Sequence, residues 1–357
     1  MEHNDVTRLF PKDNTLIKSA YTTRRLPREA MVTLQCDSVP RSGDLVLARV
    51  DTVGHHKCLE LIDGRRSQLF AGDLIIVVYG NRYAPDQYEA IVPDHLGPCH
   101  LAASGGIAAQ VVDRYGKTGN PTAITPLGLI ADRNRQVLNL ADWTLPRGVY
   151  NANSPFTIVV AGTAMNAGKT TTATYLIKGL VRAGLKVGAA KITGTGSGRD
   201  TWLMRDAGAT RVLDFLDAGV PSTYLLPNDK VERIASQLIH ELGHYGMDAI
   251  VLEVADGLFQ QETSQLMRSH SFLANIDGVL FAASDAMGGA AGVEWLRQHH
   301  APVIGVSGLL TLSPLAVRET YAATGLPVLT LTQLESAEIA QAMMDNLISN
   351  MPVLKAG

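Results

Sequence analysis

Apolar positions follow two different rhythms along this chain. Between residues 30 and 145 they come as short β-branched runs bounded by turn formers, the signature of strands. "GDLVLARV" (43–50) and "GDLIIVVYG" (72–80) are the clearest, each opened by Gly-Asp, and the shared opening hints at an internal duplication. "HHKCLELI" (55–62) and "TAITPLGLI" (122–130) read the same way, and "DRNRQ" (132–136) predicts a turn before "VLNL" (137–140). One helical insert is expected at "HLAASGGIAAQVVDRYG" (100–116). Strands at this spacing predict a small mainly-β domain, a barrel or a sandwich.

The rhythm changes after "LPRGVYNANSP" (145–155), a stretch rich in turn formers. Strands are predicted at 156–161, 186–191, 248–254, 277–283, 302–307 and 327–331, with amphipathic helices between them. In the first helix, 169–183, Ala173, Leu176, Ile177, Leu180 and Val181 share one face. Strands apolar throughout and separated by helices predict a parallel sheet covered on both faces. The fold class expected is therefore α/β: a doubly wound, mostly parallel C-terminal domain (151–357) behind a smaller mainly-β domain (1–150).

Composition narrows the partners. Of 357 residues, 46% are hydrophobic and 18% charged, enough for sizeable cores and against disorder. The formal charge of −3, with no long basic run, argues against nucleic acid as a partner. No stretch reaches the unbroken apolar length of a membrane span, and the polar start lacks a signal-peptide core. Cys36, Cys58 and Cys99 form an odd, sparse set that suits a reducing compartment, so a soluble cytoplasmic protein is expected.

The candidate chemistry sits where the second rhythm begins, in "IVVAGTAMNAGKTTTATYLI" (158–177). A buried strand runs through glycines into Gly168-Lys169-Thr170, close to the phosphate-loop pattern G-x-x-x-x-G-K-[ST] but one residue longer: Thr163 stands at the first-glycine position and Gly162 precedes it. In such a loop, backbone amides and the helix dipole favour an anion. Gly162, Thr163, Asn166, Ala167, Gly168, Lys169, Thr170 and Thr171 are the expected nucleotide contacts. Lys169, read as exposed, would reach the β and γ phosphates, and the Thr170 hydroxyl would meet Mg²⁺. Two more strand ends converge on the same crevice, as neighbouring carboxyl ends do in a parallel sheet. "KVGAAKITGTGSGRD" (186–200) brings Lys191 and Asp200, and "AIVLEVADGL" (249–258) brings Glu253. A carboxylate closing so apolar a strand needs a partner, and Glu253 is assigned to metal. Asp200 fits either a metal role or a helix N-cap. Lys169, Lys191 and Glu253 are the candidate catalytic residues.

"GTAMNAGKT" resembles the loop of dethiobiotin synthetase and its relatives, including cobyrinic acid amide synthases. Lys191 matches their second-strand lysine and Glu253 their glutamate before a small-residue turn. "KITGTGSGRDTWLMRDAGATRV" is similar to the molybdopterin-guanine dinucleotide biosynthesis adapter proteins, and the region also resembles some P-loop N-acyltransferases. The resemblance covers roughly 156–310. Ala164 replaces the second lysine of partitioning ATPases, and the guanine-reading Asn-Lys-x-Asp is missing at Asp285, which favours ATP.

These resemblances imply a P-loop enzyme, a homodimer, that uses Mg²⁺ and ATP to activate a small carboxylate or carbamate substrate. A nucleotide-binding adapter and a CoA-dependent acyltransferase are the alternatives. In the β half, "VYGNRYAPDQYEA" (78–90) suits a small-molecule or partner surface. His55, Cys58, Cys99 and His100 are candidate zinc ligands, although their spacing matches no common closed pattern.

Overall fold

The computed structural model describes residues 17–145 and 155–345. The chain divides into two compact units. The first holds Met1–Pro146 together with two later segments, Thr195–Arg199 and Phe215–Leu225; the second holds the remainder. The expected boundary near residue 150 falls outside the described residues.

The first unit is a closed barrel. Its wall consists of β1 (Leu45–Thr52), β2 (Leu74–Tyr79), β3 (Cys99–Ala103), β4 (Ile107–Arg114) and β5 (Thr122–Ala131). Pairing runs β2-β1-β5-β3-β4, all antiparallel, and a parallel contact of β4 with β2 (Ile107 opposite Val78) closes the ring. Period-two alternation sends Val46, Ala48 and Val50, with Ile75, Val77 and Tyr79, into one interior cluster with Leu101, Ala108 and Ile124. The expected helix at 100–116 is instead the β3–β4 hairpin. Its Ser104-Gly105-Gly106 turn places Gly106 at φ +105°, a conformation that ends a helix and suits a tight strand reversal.

The repeated Gly-Asp openings have matching geometry. Gly43 and Gly72 sit at φ +94° and +92°. The Asp44 carboxylate accepts from the Arg41 amide and the Asp73 carboxylate from the Phe70 amide, each at 2.8 Å. Gly43 and Asp44 exchange backbone bonds with Tyr79 at the end of β2, and Gly72 and Asp73 do the same with Val50 near the end of β1. The two arms thus follow the same pattern, which supports an internal duplication.

The second unit has a six-stranded parallel sheet: β6 (Phe156–Gly162), β7 (Val187–Lys191), β8 (Arg211–Asp214), β9 (Ala249–Glu253), β10 (Gly278–Ala282) and β11 (Val303–Ser307). The order is β8-β7-β9-β6-β10-β11, so β6 lies centrally with β9 and β10 on either side. Helix α1 (Lys169–Arg182) buries Ala173, Leu176, Ile177 and Leu180 against the sheet, and each of the three larger side chains contributes about 1.5–3 kcal/mol. Val181 is only partly buried. Helices α2 (Arg199–Asp206), α3 (Asn228–His244), α4 (Ala286–Gln298) and α5 (Pro314–Thr324) follow. Two expectations fail here. Residues 327–331 make only an isolated bridge, Val328 to Val306, and turn at once into a short capped helix, because Pro327 has no amide for a ladder. The short edge strand β8, four residues led by a polar Arg211, carries too little apolar pattern to be recognised.

Candidate functional site

The site forms at the carboxyl end of the parallel sheet. β6 ends at Gly162, and a loop of five residues leads to Gly168, whose φ of +96° turns the chain into α1. Asn166 at φ +66° takes a second left-handed position, which asparagine tolerates better than most residues. No side chain caps α1, and the first amides of a helix have no partner within it. The loop is braced from both sides. A Cβ on Gly257 would lie 2.1 Å from the Thr163 carbonyl, and one on Gly308 2.5 Å from the Ala167 carbonyl. Leu309 donates its amide to Ala167 at 3.1 Å, and Thr163 donates to Ala282 at 3.0 Å. A Cβ on Gly162 would fall 2.8 Å from the Lys169 side chain, so that glycine leaves the lysine its path.

Lys169 is buried, not exposed; its stem is covered and its ammonium donates to the Ala164 carbonyl at 2.7 Å across the loop. Burial pulls its pKa down, while Glu253 and Asp256 hold it up. The Thr170 hydroxyl donates to Glu253 Oε1 at 2.8 Å, which leaves the hydroxyl lone pairs for a cation. Glu253 is 2% exposed, and its Oε2 has no hydrogen-bond partner. Burial and then the Asp200 charge push its carboxyl up. Lys191 and Glu253 are register partners on adjacent strands, so both stand at the same sheet end. Lys191 forms an ion pair with Asp200. Burial opposes its charge, but Asp200 and Glu253 more than offset this and hold the ammonium above the usual lysine range. Lys169, Thr170, Lys191, Asp200 and Glu253 therefore come together. Thr171 lies exposed on α1.

Asp256, in the same strand-end stretch as Glu253, is buried at φ +64° and acts electrostatically on both lysines. The bracing of the loop by Gly257 and Gly308, each in a loop that follows a strand, has no signal in the sequence. Asp285, where a base-reading motif would fall, instead caps α4 by accepting from the Gly288 amide at 2.8 Å.

In the barrel, the expected binding segment 78–90 turns largely inward. Tyr79 and Tyr88 are fully buried, and Arg82 donates to the Ala102 carbonyl and to Gln87 Oε1. The zinc candidates do not converge. Cys99 faces the barrel interior, where burial pushes its thiol up to about 11, and His100 Nδ1 accepts from the Val111 amide. Cys58 Sγ contacts Gln68. Among the described residues no three His, Cys, Asp or Glu side chains are arranged to hold a metal ion. No helix of the described residues is long and apolar enough to cross a membrane.

A central strand, a glycine-framed loop ending in Gly-Lys-Thr, a helix start and a facing carboxylate define a P-loop NTPase-type domain. Residues 157–263 match the family described as molybdopterin guanine dinucleotide synthesis protein B, MobB. This match covers less than a third of the chain and none of the barrel strands. Similar solved structures include the signal recognition particle 54 kDa protein of Aeropyrum pernix K1 in complex with GDP, at 16% identity and TM-score 0.38 over 58% of this chain and 53% of that one. Hydrogenase maturation factor HypB of Archaeoglobus fulgidus is 15% identical with TM-score 0.38, over 54% of this chain and 91% of that one. Chloroplast FtsY of Physcomitrella patens is 16% identical with TM-score 0.39, over 58% and 70%. The chain spans about half the length of the Aeropyrum protein that it matches. No curated protein matches it.

Proposed function

We infer that the second unit binds a nucleoside triphosphate with Mg²⁺ and that the chain acts as a nucleotide-binding adapter, a reading supported by the match of residues 157–263 to the molybdopterin guanine dinucleotide synthesis protein B family. The observation that carries this reading is the Thr170–Glu253 pair beside the buried Lys169. The orphaned Glu253 Oε2 and the glycine-framed loop fit a cation and a polyphosphate. Thr170 and Glu253 would hold Mg²⁺, whose chemistry there is to neutralise phosphate charge. Lys169 would exchange its bond to the Ala164 carbonyl for a phosphate oxygen. The α1 amides would cradle the remaining phosphate oxygens.

A second reading is supported by Lys191, a second buried cation at the same sheet end. In that reading the chain is a ligase in which a substrate carboxylate or carbamate attacks the γ-phosphate, with Lys169 and Lys191 stabilising the charge that develops. The test is titration of the purified chain with Mg-ATP and Mg-GTP, followed by phosphate release with and without candidate carboxylates and amines. Binding with slow, substrate-independent hydrolysis fits the adapter. Turnover that depends on a substrate favours the ligase. Binding of acetyl-CoA without either nucleotide overturns both.

A further inference from the structure

The loop that delivers Asp200 to Lys191 is held by the barrel unit. Thr195–Arg199 belongs to that unit even though the residues before and after it belong to the other. Its principal anchor is Glu60, which follows Cys58 and Leu59 in a short strand and is 6% exposed. Glu60 Oε2 accepts from the Gly198 amide at 3.0 Å and from the Ser197 hydroxyl at 3.1 Å. The Gly196 amide donates to the Pro221 carbonyl at 2.9 Å, and Thr195 bridges to Ser222. The packing leaves no slack: a Cβ on Gly105 would lie 2.0 Å from the Gly196 carbonyl, and one on Gly196 2.7 Å from Thr22. Two residues beyond the amide that Glu60 holds, in the first turn of α2, stands Asp200.

Lys191 is a buried cation that needs a counter-ion, and two carboxylates act on it, Asp200 and Glu253. While Asp200 holds Lys191, Glu253 stays with the Thr170 hydroxyl. If the loop slackened, Lys191 would turn to Glu253, whose Oε2 is unpartnered, and occupy the carboxylate that the cation needs. We propose that Glu60 is a positioning residue for the phosphate site: by fixing the 195–199 loop it keeps Asp200 on Lys191 and so reserves Glu253 for Thr170 and the cation. The link runs along the chain, from Glu60 through Gly198 to Asp200. This inference rests on the functional reading above.

The test is a double-mutant cycle on the full chain, read as the dissociation constant for Mg-nucleotide by calorimetry. Glu60→Gln keeps the shape but replaces charge-assisted bonds with weaker neutral ones. It is expected to weaken binding about tenfold in the wild-type background and less than twofold in an Asp200→Asn background. Ser197→Ala, which removes one of the two bonds at little risk to folding, should show the same dependence with an effect of roughly threefold. Should Glu60→Gln fold poorly, Ser197→Ala carries the cycle alone. A purely structural Glu60 would weaken binding equally in both backgrounds, and that result, or a dissociation constant unchanged by both variants, overturns the inference while leaving the nucleotide site in place. Failure of the wild-type chain to bind Mg-nucleotide overturns the functional reading, and this inference with it.

Discussion

His56 gives the barrel a calculable dependence on pH. Its Nε2 lies 2.9 Å from the Ala102 carbonyl and 3.1 Å from the Arg82 guanidinium. Burial, and then the Arg82 charge, lower its pKa from 6.5 to about 3, so the folded barrel holds a neutral imidazole. The unfolded chain takes up a proton below pH 6.5 and the folded one does not. Stability is therefore complete above pH 6.5 and falls as the pH drops toward 3. With one pKa unit equal to about 1.36 kcal/mol, the shift amounts to about 2 kcal/mol lost between pH 7 and pH 5. The side chain is partly open to solvent, and screening reduces the expectation to about 1–2 kcal/mol. His56→Gln retains a donor and an acceptor but does not titrate. Trp143 reports on the barrel once Trp202 and Trp295 are replaced by phenylalanine, and urea melts at pH 7 and pH 5 then give the barrel's stability in each protein. The histidine protein should lose about 1–2 kcal/mol more than the glutamine variant over that interval. Equal losses within about 0.3 kcal/mol would refute the buried neutral imidazole.

Three further outcomes are expected at the phosphate site. Glu253→Gln keeps the shape and removes the charge, so Mg²⁺-dependent nucleotide affinity should fall about tenfold or more and recover in part at higher Mg²⁺, as titrations at two metal concentrations would read. If the ligase reading holds, Lys191→Ala should lower kcat by on the order of a hundredfold with little change in nucleotide affinity, and extra Mg²⁺ should not rescue it. Gly257→Ala puts a methyl group against the Thr163 carbonyl, a backbone atom with little freedom to yield; nucleotide binding should drop at least tenfold while circular dichroism stays that of the parent.

The parallel sheet was legible because five of its strands are apolar along most of their length, with any polar residues at or near their ends, as a doubly covered sheet requires. The convergence of Lys169, Thr170, Lys191 and Glu253 followed from the same logic, since parallel strand ends share one edge. The barrel's strands were readable too, but its closure was not. Ring closure depends on two residue pairs between β2 and β4, a parallel contact between segments distant in sequence that leaves no local pattern. The 100–116 segment misled because its many alanines suit a helix, whereas Gly105-Gly106 and the interior facing Leu101 and Ala108 fix a hairpin. Nothing in "TGSG" signals that Thr195–Arg199 is held by Glu60; that is tertiary information alone. The burial of Lys169 is likewise hidden in the sequence, where a lysine at the end of a glycine-framed loop reads as exposed.

The measurement closest to the centre of this account is calorimetric titration of Mg-nucleotide, ATP and GTP in turn, into the wild-type chain and into Lys169→Gln. Glutamine keeps an amide donor on a slightly shorter stem while the positive charge is lost. The wild-type chain should bind at least one Mg-nucleotide, and the variant, with its circular dichroism unchanged, should bind it at least a hundredfold more weakly. Equal affinity in the two proteins, or no binding by the wild type, would contradict a phosphate site built on Lys169, Thr170 and Glu253.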